Sequence, residues 1–138
     1  MIFNRNIEIH TKEELDFVDM TSQIRTAVAD SELKHGIVNV FAIGSTCAII
    51  TIENEEGLID DFKEMLKNII PNTIEYYHNK KWNDSNGHSH LRASLVGQNI
   101  TIPFIDGELL LGTWQQIILI ELDIRPRQRI ISIMVMGD

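Results

Sequence analysis

The feature that most constrains this chain is a set of β-branched apolar runs that do not alternate regularly with helices. Residues 37–43 (Ile-Val-Asn-Val-Phe-Ala-Ile) are parted from residues 47–52 (Cys-Ala-Ile-Ile-Thr-Ile) only by Gly44-Ser45-Thr46, and residues 114–122 and 129–136 are long runs of the same character. Such side chains suit a pleated, buried surface. Shorter strands are expected over 2–9, 15–20 and 99–104, with a turn at Asp106-Gly107 and a return strand over 108–111. The strongest helical pattern spans 58–70, where Leu58, Phe62, Met65, Leu66 and Ile69 form one apolar stripe, Asp60 and Asp61 favour the amino end and Pro71 ends the run. A second helix is expected after a Thr21 or Ser22 cap, carrying Ile24, Ala27, Val28 and Leu33 up to a stop at Gly36. A short third helix is expected over 88–96, capped by Ser85 or Asn86 and stopped by Gly97. Strands in runs, with helices set between them, predict an α+β fold built on a mainly antiparallel sheet or sandwich, with two longer helices and a short one.

At 138 residues the chain is expected to form a single domain, 1–138, that buries a core without staples; its one cysteine, Cys47, excludes an internal disulfide. No basic segment followed by a long apolar run opens the sequence, and no apolar run is long enough to cross a bilayer, so a soluble, cytoplasmic protein is expected. Twelve basic residues against twenty acidic ones give a net charge of −8, which repels phosphate backbones and argues against nucleic acid as a partner. Arg125, Arg127 and Arg129 nevertheless cluster within five residues, enough for a local site for a small anion or for solvated charges beside a strand.

Three of the five histidines, His78, His88 and His90, lie in the polar stretch 72–90. Imidazole moves protons near neutral pH and is the commonest metal ligand. If 88–90 is extended, His88 and His90 share a face; if it is helical they diverge by about 160° and cannot easily share a metal. Glu121 and Asp123 alternate with Ile120 and Leu122, which puts both carboxylates on one face of a strand, either toward a pocket or toward solvent. Cys47 reads as a small core residue. No phosphate-binding or dinucleotide glycine fingerprint is present.

The segment Gly107-Glu108-Leu109-Leu110-Leu111-Gly112-Thr113-Trp114-Gln115-Gln116 resembles the d-G-x-L-x-L-G-T-W-Q signature of the YjbQ family, also known as the secondary thiamine-phosphate synthase family. Residues 36–41 resemble its G-[LI]-V-x-[VL]-F strand, Tyr77-His78-Asn79 its Y-x-H-N, residues 86–97 its A-H-[LI]-x-[AS]-[ST]-L-[LV]-G segment, and Glu121, Asp123 and Pro126-Arg127-Gln128-Arg129 its closing E-x-D and P-R-x-R. The resemblance covers nearly the whole chain. It implies a compact α+β subunit that assembles as a homotrimer and has weak thiamine-phosphate synthase activity, joining a pyrimidine pyrophosphate to a thiazole phosphate with release of pyrophosphate. Carried onto this chain, the implied catalytic residues are His78, His90, Glu121 and Asp123. The implied substrate contacts are Ser45, Thr46, Asn86, Trp114, Gln115 and Arg127. His78 and His90 are also the expected ligands of a divalent Mg or Zn ion.

Two departures stand out. Where relatives carry H-T-T or H-T-S after the third strand, this chain reads Ser45-Thr46-Cys47, so one imidazole is missing; and D-G-P-R becomes Asp123-Ile124-Arg125-Pro126-Arg127. Besides the transferase, two alternatives follow: a non-catalytic trimer that binds a small phosphorylated metabolite, and a metal-dependent hydrolase working through His78 and His90.

Overall fold

The computed structural model describes all residues 1–138. Its elements run β1 Ile2–His10, β2 Phe17–Asp19, α1 Thr21–Asp30, β3 His35–Ile43, β4 Cys47–Ile52, α2 Glu56–Ile69, α3 Tyr77–Trp82, α4 Gly87–Val96, β5 Asn99–Ile105, β6 Glu108–Leu109, β7 Gln116–Glu121 and β8 Gln128–Gly137. They build two antiparallel sheets, β1-β8-β3-β5-β6 and β2-β7-β4. The larger core lies between the sheets. There Val38, Val40, Ile131, Ile133 and Val135 meet Ile49, Ile117 and Leu119, and Ile24, Ala27 and Val28 of α1 close one end. The opposite face of the small sheet carries Ala48, Ile118, Ile120 and Leu122 against Leu66 of α2 and Ala93 of α4. The result is a sheet–sheet–helix stack. The uninterrupted run Ile117-Ile118-Leu119-Ile120 is buried on both faces because its strand is the middle layer. No helix is long and apolar enough to cross a membrane.

Several boundaries differ from the sequence expectation. Helix α1 ends at Asp30, short of Leu33, and its first turn is held by the Asp19 carboxylate, which accepts from both the amide and the hydroxyl of Thr21. Gly36 is not a helix stop but a strand residue: a side-chain carbon there would stand 2.0 Å from the carbonyl oxygen of Met136. Helix α2 begins at Glu56, two residues early, because the Glu55 carboxylate caps the amides of Gly57 and Leu58. These bonds, against weak opposition from burial, hold the Glu55 carboxyl below the usual range. The polar stretch 72–90 contains an unexpected helix, α3, which buries no residue and stops at Asn83 in the left-handed region, φ 51°. Residues 114 and 115 precede β7 rather than lying in it.

Candidate functional site

The carboxyl end of β7, the start of β4, the start of β8, the segment after β1 and the start of α4 meet at one edge of the small sheet. Glu121, the last residue of β7, has no exposed surface, and Arg129 near the start of β8 is 4% exposed. A buried carboxylate needs a partner and further hydrogen bonds, and this one has both. Arg129 Nε donates to Glu121 Oε1 at 2.9 Å and Nη2 donates to Oε2, forming a two-pronged pair. The Thr11 hydroxyl and the Asp123 amide complete the carboxylate. Arg129 Nη2 also donates to the carbonyl and hydroxyl of Thr46. Burial works against the Arg129 charge, but the Glu121 bond and neighbouring negative charge more than restore it, so its affinity for the proton rises. Gly44 must be small here, since a side-chain carbon would lie 2.8 Å from Arg129 Nη1 and 3.2 Å from Cys47 Sγ. Cys47 pairs in register with Glu121, and burial pushes its thiol up, against Arg129, as befits a core residue.

From this anchor a line of polar contacts runs outward. The Thr46 hydroxyl donates to Asp123 Oδ2 at 3.1 Å, where Arg127 Nη1 also donates. Asp123 Oδ1 accepts from the Ile124 amide at 2.8 Å and lies 3.5 Å from Asn86 Nδ2. Burial opposes ionisation of Asp123, but the bonds from Ile124, Thr46 and Asn86 and the Arg127 charge outweigh it and hold the carboxyl below its ordinary range. Asn86 Oδ1 stands 3.1 Å from His78 Nε2, and the His78 and His90 rings lie 4.8 Å apart at 57°. Both imidazoles line an open cavity of about 220 Å³ with Tyr76, Tyr77, Gly87 and Leu91. Gly87, the first residue of α4, packs against the start of α3. Its amide donates to Asn79 Oδ1, and a side-chain carbon would come within 2.8 Å of Tyr76 Cβ.

The structure thus brings together His78, His90, Asn86, Asp123, Thr46 and Arg127, with Glu121 beneath them. It does not bring in Trp114 or Gln115. They sit at the opposite end of β7 from Glu121, whose five steps at about 3.3 Å span roughly 17 Å. Trp114 is exposed in a separate acidic hollow with Asp19, Glu53, Glu55 and Gln116, and Gln115 bridges Thr51 and the Gly112 amide. Glu121 has no surface with which to meet a substrate and instead holds Arg129. Ser45 is exposed beside the anchor, with no side-chain hydrogen bond. Residues 88–90 are helical, so His88 and His90 diverge: His88 turns inward to Glu14, beside buried Arg92. No group of three His, Cys, Asp or Glu side chains is placed to hold a metal. His78 Nε2 faces Asn86 at 3.1 Å and Asp84 at 3.7 Å. Sequence reasoning missed Thr11 as the partner of Glu121, for which no local signal exists. It singled out Arg127 as a substrate contact and gave no role to Arg129, the buried partner of Glu121.

The family model described as "UPF0047 protein YjbQ-like" matches residues 5–138. A UPF0047 protein of Methanothermobacter thermautotrophicus is 39% identical over 136 residues, covering 99% of this chain and 93% of the relative. One of Archaeoglobus fulgidus is 34% identical, covering 89% and 93%. Among solved structures, a YbjQ-like protein of unknown function from Sulfolobus solfataricus superimposes with a TM-score of 0.95 at 33% identity, covering 100% and 99%. A hypothetical protein from Aeropyrum pernix superimposes at 0.91 and 27% identity, covering 99% of both chains.

Proposed function

We propose that this chain, which belongs to the UPF0047 YjbQ-like family, is a slow transferase of the thiamine-phosphate synthase type, working along the edge that links His78 and His90 to Arg127 through Asn86 and Asp123. The observation that carries this reading is the unbroken path of contacts from the two imidazoles through Asn86 and Asp123 to Arg127. Arg127 spends Nη1 on Asp123, which fixes its plane, while Nε and Nη2 have no partner in the chain. That leaves a fork suited to two phosphate oxygens. Tyr76 and Tyr77 supply flat walls for a heteroaromatic ring. As the bond from the pyrimidine methylene carbon to pyrophosphate breaks, the thiazole nitrogen forms the new bond to that carbon; negative charge grows on the leaving pyrophosphate, Arg127 stabilises it, and a protonated imidazole of the pair gives its proton to a pyrophosphate oxygen. A binding role without turnover draws on Ser45, which offers no imidazole where relatives have one. Incubation with Mg²⁺, the pyrimidine pyrophosphate and the thiazole phosphate separates the two. The transferase forms thiamine phosphate above a no-protein control, whereas the binder takes up ligand and forms none.

The partner expected for the subunit is itself, in a homotrimer. The apolar residues 117–120 are used inside the chain, because β7 is the buried middle layer. The unspent surface is the outward face of the large sheet. There Ile2, Met136, Ile37 and Pro103 form one row, and Phe41, Ile43, Ile130 and Met134 lie nearby. Glu8 and Glu108 are the only carboxylates on this face, in a chain of net charge −8. Copies of an anionic chain meet with least repulsion on such a neutral patch. Asn4 and Asn6 stand on the same face with no side-chain hydrogen bond in the chain, whereas Asn39 Nδ2 is spent on Asn99 Oδ1, the Ile100 carbonyl and the Thr101 hydroxyl.

A further inference from the structure

We infer that His78 is held with its proton on Nε2, leaving Nδ1 as the atom at which the site takes or returns a substrate proton, and that Asn86 is the positioning residue that sets this tautomer. The argument starts at Asp123, an ionised carboxylate that can only accept hydrogen bonds. The Asn86 group facing it must therefore be the amide nitrogen, which orients the side chain and turns the amide oxygen toward His78. An oxygen 3.1 Å from His78 Nε2 requires a hydrogen on that nitrogen. Asp84 Oδ2, in the same loop as Asn86, lies 3.7 Å from that atom, beyond hydrogen-bond reach. Nδ1 has no partner in the chain and is not among the enclosed unpaired atoms, of which Ser89 Oγ is the sole case. In a neutral ring, Nδ1 carries the lone pair, on a residue that lines the cavity.

The inference deepens the acid–base reading of this site, and its main readout needs no turnover. Nitrogen-15 NMR of the uniformly labelled protein, in the pH range where the rings are neutral, reports the two tautomers of each histidine. His10 is exposed and has no side-chain hydrogen bond, so it serves as an internal reference. One neutral hydrogen bond is expected to raise the Nε2–H to Nδ1–H ratio of His78 about fivefold over that of His10. Asn86→Leu should return the ratio to the His10 value. Asn86→Gln keeps both an amide donor and an acceptor and should retain an excess over His10, so the inference stays testable if the leucine variant does not fold. A wild-type ratio equal to that of His10, or a majority Nδ1–H form, overturns it. A protein that shows the excess yet makes no thiamine phosphate retires the transferase reading, and the proton role of Nδ1 with it, and leaves the tautomer and its setting by Asn86 standing.

Discussion

Glu121 illustrates how burial decides a residue's role. Its carboxylate is fully enclosed and accepts from Arg129, Thr11 and the Asp123 amide, so it is a foundation rather than a reagent. Glu121→Ala strands the Arg129 charge in the interior and should cost about 3–5 kcal/mol, seen as a lower denaturant midpoint at unchanged slope; a cost below about 1 kcal/mol would contradict the pairing. Asp123 makes a separate, pH-dependent contribution. Its folded pKa lies below its unfolded value of about 3.9, so its stabilisation is full above that pH and is lost as pH falls through the folded value. Denaturant titrations below about pH 4 should therefore lose stability less steeply in Asp123→Asn than in wild type. The carboxylates and Arg127 were visible in the sequence as an alternating charged strand end. That Asp123 faces the line of contacts while Glu121 faces the core was not, because it depends on Thr11, Thr46 and Arg129 arriving from three other strands or their ends.

At the scale of elements, the tightest junction is β3 on β8, where Gly36 and Gly137 face each other in register. Gly36→Ala places a carbon 2.0 Å from a backbone oxygen that cannot move without shifting the strand. The expected loss is at or above the about 1–3 kcal/mol usual for overpacking, measured by thermal unfolding; a melting temperature equal to wild type would show that the junction is looser. This contact also explains a misreading. Gly36 follows a helical pattern and looks like its stop, but the reason for a glycine lies a hundred residues away in β8. The strands over 37–43 and 47–52 were legible because β-branched runs carry their own signal, as was helix α4. Helix α3 was not, because its sequence Tyr-His-Asn-Lys-Lys-Trp has no apolar face and it buries none of its own side chains. The choice between a shared face and opposed faces for His88 and His90 turned entirely on whether 88–90 is helical, a matter of where α4 begins. Trp114 was grouped with the histidines through a sequence signature, whereas β7 separates them by its full length.

At the scale of the whole molecule, the stack of large sheet, small sheet and helices leaves the outer face of the large sheet without cover. Light scattering at micromolar concentration should give the mass of three chains, and Phe41→Asp, which puts a charge on that face, should shift the mass toward one chain; a wild-type monomer would rule the assembly out. The candidate site lies at an edge of the other sheet, where contacts run from Arg129 outward to His90. The most direct test of the account is the rate at which the purified protein, at high concentration with Mg²⁺, converts the pyrimidine pyrophosphate and the thiazole phosphate to thiamine phosphate. The account predicts product above the no-protein control and a loss on the order of 10²-fold in His78→Ala; no product from the wild-type protein, or an unchanged rate in His78→Ala, would contradict it.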